Sequence, residues 1–370
     1  MMDGYLEIIA YLCAQRSRYI NMILTEFSYK QASGWSLKEL SLNHQNLIVG
    51  LNSVGKSRTV SALGQVARFI RGEADANMDD IECSLILENG NRLEYSFEIK
   101  GGEIQSEILR KDGQSLIMRE RFSATMYNDD QVSPPAGKLL IQVRRDTQRY
   151  PEIEEIIIWA EHTSMFVFSN ITTSPNSLSP YTISNEPLLP VMYEKISEEK
   201  QKQLLAFMHE LGYEIDRIEE YQRENGSKML HINEKGIENP MTPFELSNGM
   251  FRVFCVLLYM LYCSTLADAR CLIIDDMGEG LDYMRSTRLG KIMFSYCEEN
   301  HIQLLATSND SFLMDAVDLQ YWNILQRKGG RVNSLNNKNS KELFERFVRT
   351  GLSNFDILSS NFIANNTKDE

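Results

Sequence analysis

The sequence predicts an α/β fold, a mixed sheet with an antiparallel β meander and a helical lobe attached. Three observations carry this. From Leu246 onward the pattern runs helix, apolar strand (271–275), helix, apolar strand (302–307), helix. That alternation builds parallel strands covered by helices. Near the other end, Asn46-Leu47-Ile48-Val49-Gly50 is a short apolar run closed by glycine. It leads into Lys56–Arg71, where Val60, Leu63, Val66, Ala67 and Ile70 recur at helical spacing. Between 81 and 125, turn signals at Asn89-Gly90-Asn91, Gly101-Gly102 and Asp112-Gly113 separate alternating pieces such as Arg92–Ile99, the mark of a meander.

The remaining elements follow in order. Residues 22–30 read as a strand. The stretches 128–137 and 170–190, rich in Pro, Ser, Asn and Thr, read as loops. A helix starts after Ser197, whose hydroxyl can cap it while Glu198 and Glu199 favour its positive end; it stops near Leu211 before Gly212. Two strands flank the turn Glu224-Asn225-Gly226. The resulting division is a core over 22–325 and a helical tail over 326–370. Within the core, 22–75 carries the glycine turn, 81–125 the meander, 128–240 an insert or helical lobe, and 241–325 the alternating part.

Composition narrows the class. With 43% hydrophobic and 24% charged residues the chain is an ordinary globular protein, and no apolar run reaches bilayer length. One apolar patch, Leu6 to Cys13, has neither a basic leader nor a small-residue cleavage site, so no export signal is read. The six cysteines (13, 83, 255, 263, 271 and 297) form no CxxC pair. Buried free thiols in a reducing cytoplasm are the expectation, rather than zinc or disulfides. The net charge of −13 disfavours nonspecific coating of nucleic acid. A basic cluster at Lys138, Arg144, Arg145 and Arg149 leaves a local groove open, against the alternative of a solvated face.

The strongest motif is Gly50-Leu51-Asn52-Ser53-Val54-Gly55-Lys56-Ser57, a full match to GxxxxGK[ST] between a strand and a helix. A chain of this length meets that pattern by chance about once in a hundred cases, and the context lowers this further. Its glycines let backbone N–H groups turn around phosphates at a helix N-terminus. Lys56 would reach the β- and γ-phosphates of ATP, and the Ser57 hydroxyl would hold Mg²⁺. Asn52, Ser53, Val54 and Arg58 line or flank the same loop. In Cys271-Leu272-Ile273-Ile274-Asp275-Asp276 a buried strand delivers two carboxylates at its end. Asp275 is the metal-side candidate, and Asp276 the one that orients or deprotonates water.

Leu246-Ser247-Asn248-Gly249-Met250, with Arg252 in the following helix, resembles the signature of ABC ATPases, more closely the LSxGxxR form of SMC-like proteins. Asp275 to Asp282 aligns with the family run that ends in a D-loop aspartate. Ala306-Thr307-Ser308-Asn309-Asp310 stands at the switch turn. The resemblance is to compact bacterial SMC-like ATPases, including those of defence systems, over residues 22 to about 325. It implies a P-loop NTPase of ABC/SMC-head type in which Ser247, Asn248 and Gly249 contact the γ-phosphate held by another subunit, and Asp282 signals between subunits.

This chain departs from the family in three places. Asp276 stands where a glutamate is usual. Asn309 replaces the switch histidine, and none of the five histidines occupies that turn. The Q-loop glutamine, a second metal-side contact, is Gln131 or Gln142, with Gln131 preferred. The insert has no heptad run, so no long coiled coil is expected.

The resulting expectation is a cytoplasmic, Mg-ATP-dependent and slow ATPase, acting as a homodimer or higher even-numbered oligomer. It would switch a protein effector, a nuclease or toxin, supplied in trans, with antiphage defence as the setting. The alternatives are an SMC-like DNA-repair or chromosome-handling ATPase, with nucleic acid as a less favoured partner, and a transporter's nucleotide-binding subunit. No membrane association is expected for the leading case.

Overall fold

A computed structural model describes residues 22–74, 80–127, 130–171, 188–224, 226–266, 270–360 and 362–366. The described residues open with β1 (Ile23–Gln31), β2 (Ser36–Ser41) and β3 (Gln45–Val49), followed by α1 (Lys56–Ile70). The meander is β4 (Ile81–Glu88), β5 (Arg92–Lys100), β6 (Glu103–Lys111), β7 (Gln114–Glu120), β8 (Ser123–Met126) and β9 (Asp130–Val132). Then come α2 (Leu140–Val143), α3 (Pro151–Glu161), β10 (Thr163–Val167), α4 (Leu188–Lys195), α5 (Glu198–Glu210), and the hairpin β11 (Ile215–Gln222) with β12 (Lys228–Glu234). The last part is α6 (Asn248–Cys263), β13 (Arg270–Asp275), α7 (Tyr283–Glu299), β14 (Ile302–Thr307), α8 (Ser311–Ala316), β15 (Trp322–Lys328), β16 (Arg331–Asn336) and α9 (Lys341–Val348).

Except for β11 and β12, these strands form one sheet in the order β10-β13-β14-β3-β15-β16-β2-β1-β4-β5-β6-β7-β8-β9. The first five run parallel, and β4 to β9 continue as antiparallel neighbours. Two apolar cores lie on opposite faces. Leu272 and Ile274 of β13 enter one, and Cys271 and Ile273 enter the other. Strict alternation along a strand with no polar residue produces this double burial. The expected α5 forms as read, with Ser197 accepting from the Lys200 amide and Gly212 at φ 78° beyond its end.

Two expectations need correction. The insert 128–240 is not one lobe, because β10 joins the parallel block beside β13 and α3 packs on α1. Ser164-Met165-Phe166-Val167 is too short a run to announce a buried strand by periodicity. The tail 326–370 is not all helical: Gln326–Lys328 complete β15, and β16 pairs with β15 and β2. Gly329-Gly330 is the turn signal between them, with φ 61° at Gly329. The loop read at 170–190 falls mostly on residues outside those described, and α4 begins within its end.

Buried polar side chains tie the halves together. Gln303 of β14 accepts from the Leu24 N–H at 3.0 Å and donates to the Leu24 carbonyl at 2.7 Å. Asn46, Asn323 and Asn336, all buried, hydrogen-bond in a row across β3, β15 and β16. In the meander, Glu107 and Arg119 form an ion pair with both side chains fully buried. Glu107 also accepts from Tyr95 and from the N–H groups of Leu140 and Ile141, and Arg119 donates to the carbonyls of Pro135 and Lys138. This network straps residues 135–141 under the sheet.

Removing one member of such a pair leaves a desolvated charge alone. Arg119→Met is therefore expected to destabilise the fold by about 3–5 kcal/mol. Urea denaturation checks this, and a loss under about 1 kcal/mol would contradict it.

Candidate functional site

The Gly50–Ser57 loop leaves β3 at the carboxyl edge of the parallel block and enters α1. At Gly50, φ is 151°, and a Cβ there would lie 2.8 Å from the Leu325 carbonyl oxygen, so only glycine fits. At Gly55, φ is 112° and a Cβ would lie 3.3 Å from Trp35 Nε1. Lys56 is almost fully buried and donates to the carbonyls of Gly50 at 2.8 Å and Leu51 at 3.3 Å. Burial pushes its pKa down, opposed by Asp276 and then Asp275, so both carboxylates face the lysine electrostatically. Leu51, Asn52, Ser53 and Ser57 are exposed, and Val54 is half-buried. Arg58 lies 4.8 Å from the centroid of the Trp35 ring and bonds Gln31 and Ser33 of the β1–β2 turn.

The second wall comes from β13 and β14. Asp275 is buried, and Thr307 Oγ1 donates to its carboxylate at 2.5 Å. The same hydroxyl accepts from the Asp276 N–H at 2.9 Å. Asp276 has φ 55°, a left-handed turn that short Asp and Asn tolerate better than longer side chains. Burial raises its carboxyl above the ordinary aspartate range, helped by Asp275 and Glu279 and opposed by Lys56. Asn309 Nδ2 donates to Asp276 Oδ1 at 3.2 Å. Lys56, Asp275, Asp276 and Asn309 therefore converge.

The signature residues sit elsewhere on the chain. Ser247 caps α6, accepting from the Met250 N–H, and Ser247 and Asn248 are exposed while Gly249 is half-buried. Arg252 donates to the carbonyls of Ser169, Ile171 and Glu279, fastening α6 to the segment after β10 and to the turn before Asp282. Asp282 caps α7 and pairs with Arg285, whose guanidinium lies 4.5 Å from the Tyr213 ring centroid. No described hydrogen bond or ion pair joins Ser247, Asn248 or Gly249 to the P-loop of the same chain.

Gln131 is not brought to this site by its strand. It is exposed on the sheet-edge strand β9 and bonds Thr125 of β8, while Gln142 bonds the Phe69 carbonyl at the far end of α1. The segment that leaves the parallel block beside Asp275 is Phe168–Ile171, because Val167 of β10 pairs with Asp275. Placing a metal-side residue requires knowing which strand neighbours β13, and that pairing is not encoded locally. Trp35 and Thr307 were likewise missed as site residues; only their packing reveals them. Half of the basic cluster is neutralised. Arg145 pairs with Glu154 and Glu161, and Arg149 with Asp130. Cys83, Cys255, Cys263, Cys271 and Cys297 are free and buried, and burial pushes the Cys263 and Cys271 thiols up to about 12. Cys13 lies outside the described residues. No cluster of three or more His, Cys, Asp or Glu side chains suited to a metal occurs among the described residues, and none of their helices is long and apolar enough to cross a membrane.

A P-loop facing two strand-end carboxylates, on a sheet extended by a meander, defines the P-loop NTPase fold of SMC-head type. One solved structure shows the same fold, and two more are similar at a lower score. An SmcHead bound to the C-winged helix domain of ScpA superposes with a TM-score of 0.53 at 11% identity, covering 86% of this chain and 99% of that one. An Smc head domain with an extended coiled coil from Pyrococcus furiosus, bound to the C-terminal domain of ScpA, gives 0.49 at 11%, covering 88% and 100%. The SMC head domain from Thermotoga maritima gives 0.46 at 13%, covering 85% and 98%. A search of curated proteins returned no match. Residues 46–315 match the family described as AAA domain, putative AbiEii toxin, Type IV TA system, and the chain belongs to that family. It is an SMC-like AAA ATPase by family and fold.

The backbone at Asp276 disfavours glutamate. Asp276→Glu is expected to lower unfolding stability by about 0.5–1 kcal/mol, while Asp276→Asn is neutral. Urea unfolding without nucleotide compares them; equal stability of the two variants would show that the turn imposes no such preference.

Proposed function

We propose that this protein binds and slowly hydrolyses ATP, and that Mg-ATP closes a dimer whose state a partner protein reads. One observation carries the reading. The P-loop lysine, both carboxylates and Asn309 converge at one edge, while Ser247 and Asn248 are exposed at the start of a separate helix, with Gly249 half-buried behind them. Such a division suits a site completed by a second copy.

The residues present fit a magnesium nucleotide. A buried lysine that meets backbone carbonyls and is drawn on by two carboxylates is a ready phosphate partner, and a buried carboxylate together with an exposed helix-start serine is an oxygen donor set suited to Mg²⁺. Bound Mg-ATP would supply the scissile phosphoanhydride and a divalent charge. Lys56 and the N–H groups of Asn52 to Ser57 would bind phosphate, and Ser57 and Asp275 would hold the metal. Asp276 would orient water and take its proton, with Asn309 fixing the carboxylate. Thr307 keeps both aspartates in register. Arg58, on its Trp35 platform, flanks the loop.

The setting belongs to the same proposal. The family description names toxin–antitoxin systems, and SMC head structures have been solved with a ScpA domain bound. Both support a protein partner in trans, here a nuclease or toxin effector in antiphage defence. Buried free thiols suit the cytoplasm. The nucleic-acid alternative loses part of the support of the 138–149 cluster, because Arg145 and Arg149 are engaged by carboxylates.

Mixing subunits tests the composite site. Lys56→Ala and Gly249→Asp proteins are each expected to be inactive in steady-state ATP hydrolysis. Together they can form one intact site, so the mixture should regain turnover. Heterodimers as inactive as either parent would overturn the in-trans assignment.

Asp276→Asn is expected to retain ATP binding, since Asp275 remains, and to trap the closed dimer. Size-exclusion chromatography with Mg-ATP and single-turnover hydrolysis check this. If Glu279→Gln stops chemistry and Asp276→Asn does not, Glu279 is the catalytic acid.

A further inference from the structure

The P-loop is held from outside by a strand that carries none of the nucleotide motifs. β15 runs parallel to β3 with Ile324 opposite Val49, so its last residues emerge beside Gly50. The Leu325 carbonyl occupies the space a Gly50 side chain would need. Two residues on, Arg327 Nη1 donates to the Ser53 carbonyl at 3.2 Å, and its Nε donates to the Gly329 carbonyl at 2.7 Å. One guanidinium thus joins the β15–β16 turn to the apex of the P-loop.

Ser53 is the strained point of that loop, with φ 67° in a residue that is not glycine. In a trans peptide the C=O and the following N–H point in opposite directions. A guanidinium that holds the Ser53 carbonyl outward therefore turns the Val54 N–H inward. That N–H makes only a long 3.4 Å contact with the Leu51 carbonyl within the loop, leaving it available to a stronger acceptor.

We propose that Arg327 is a positioning residue for triphosphate binding: it fixes the apex peptide of the P-loop so that the Val54 N–H faces the phosphates. This rests on the ATP-binding reading above. The planar fork of arginine suits the role, because two donors on one rigid group reach two carbonyls at once. Arg327 is exposed, so its replacement removes no core contact.

The test is ATP titration and steady-state kinetics, with Mg²⁺, on the full chain and on Arg327→Gln, Arg327→Lys and Lys56→Ala. Arg327→Gln is expected to raise the Kd and KM for ATP about tenfold. It should leave kcat within about twofold and leave Tm without nucleotide unchanged. Arg327→Lys should recover part of the affinity. ATP affinity unchanged in Arg327→Gln, while Lys56→Ala abolishes binding, overturns this proposal and leaves the nucleotide reading intact. A drop in Tm with KM unchanged assigns Arg327 to the sheet alone and also overturns it. A wild-type chain that binds no ATP overturns the nucleotide reading itself.

Discussion

A strand buried on both faces can present a charged group only at its ends, and this constraint organises the molecule. In β13, each residue from Cys271 to Ile274 is consumed by one of the two cores. A carboxylate within that stretch would sit in hydrocarbon without a partner, at a cost of several kcal/mol. Asp275 and Asp276 therefore fall where the strand stops. The parallel arrangement puts the ends of β3, β14 and β15 at the same edge, so the P-loop, Thr307 and Arg327 gather there. The Thr307 hydroxyl then meets the Asp275 carboxylate and the Asp276 N–H, and so locks the two aspartates to the neighbouring strand.

The seams of the sheet are solved with neutral groups. Gln303 pairs with both backbone groups of Leu24, as a neighbouring strand would, and so joins β14 to β1 although the two are not adjacent in the sheet. Asn46, Asn323 and Asn336 do the same work across three strands. Amides offer donors and acceptors without the desolvation cost of a charge. The meander uses the costlier device, a buried Glu107–Arg119 pair, satisfied by six further partners from Tyr95, Arg121, Leu140, Ile141, Pro135 and Lys138. Such a pair adds little stability over a well-packed apolar core, but removing one partner is costly.

The site draws its residues from two kinds of scaffold. The residues that face Lys56 come from strand ends, which are rigid. Ser247 and Asp282 instead cap helices; Arg252 of α6 bonds the Ser169 carbonyl, and Arg285, paired with Asp282, lies over the Tyr213 ring. Aspartate at position 276 has a backbone reason, because the turn there is left-handed.

Much of this was legible locally. The P-loop, the apolar strand ending in Asp275-Asp276, the signature-like start of α6 and the meander's turns are encoded within a few residues each. Periodicity, capping and turn chemistry act over that range. What was not legible depends on neighbours distant in the chain: β10 as a member of the parallel block, Gly329-Gly330 as a hairpin of the sheet, Gln131 on an edge strand, Trp35 against Gly55. Each is decided by which strand lies beside which, and strand order comes from packing two cores at once. The sequence by itself determined the chemistry available and the elements that carry it. Only the tertiary structure decided which of those groups meet, because a contact between Arg327 and Ser53 has no local signature and exists only once β15 has found its place beside β3.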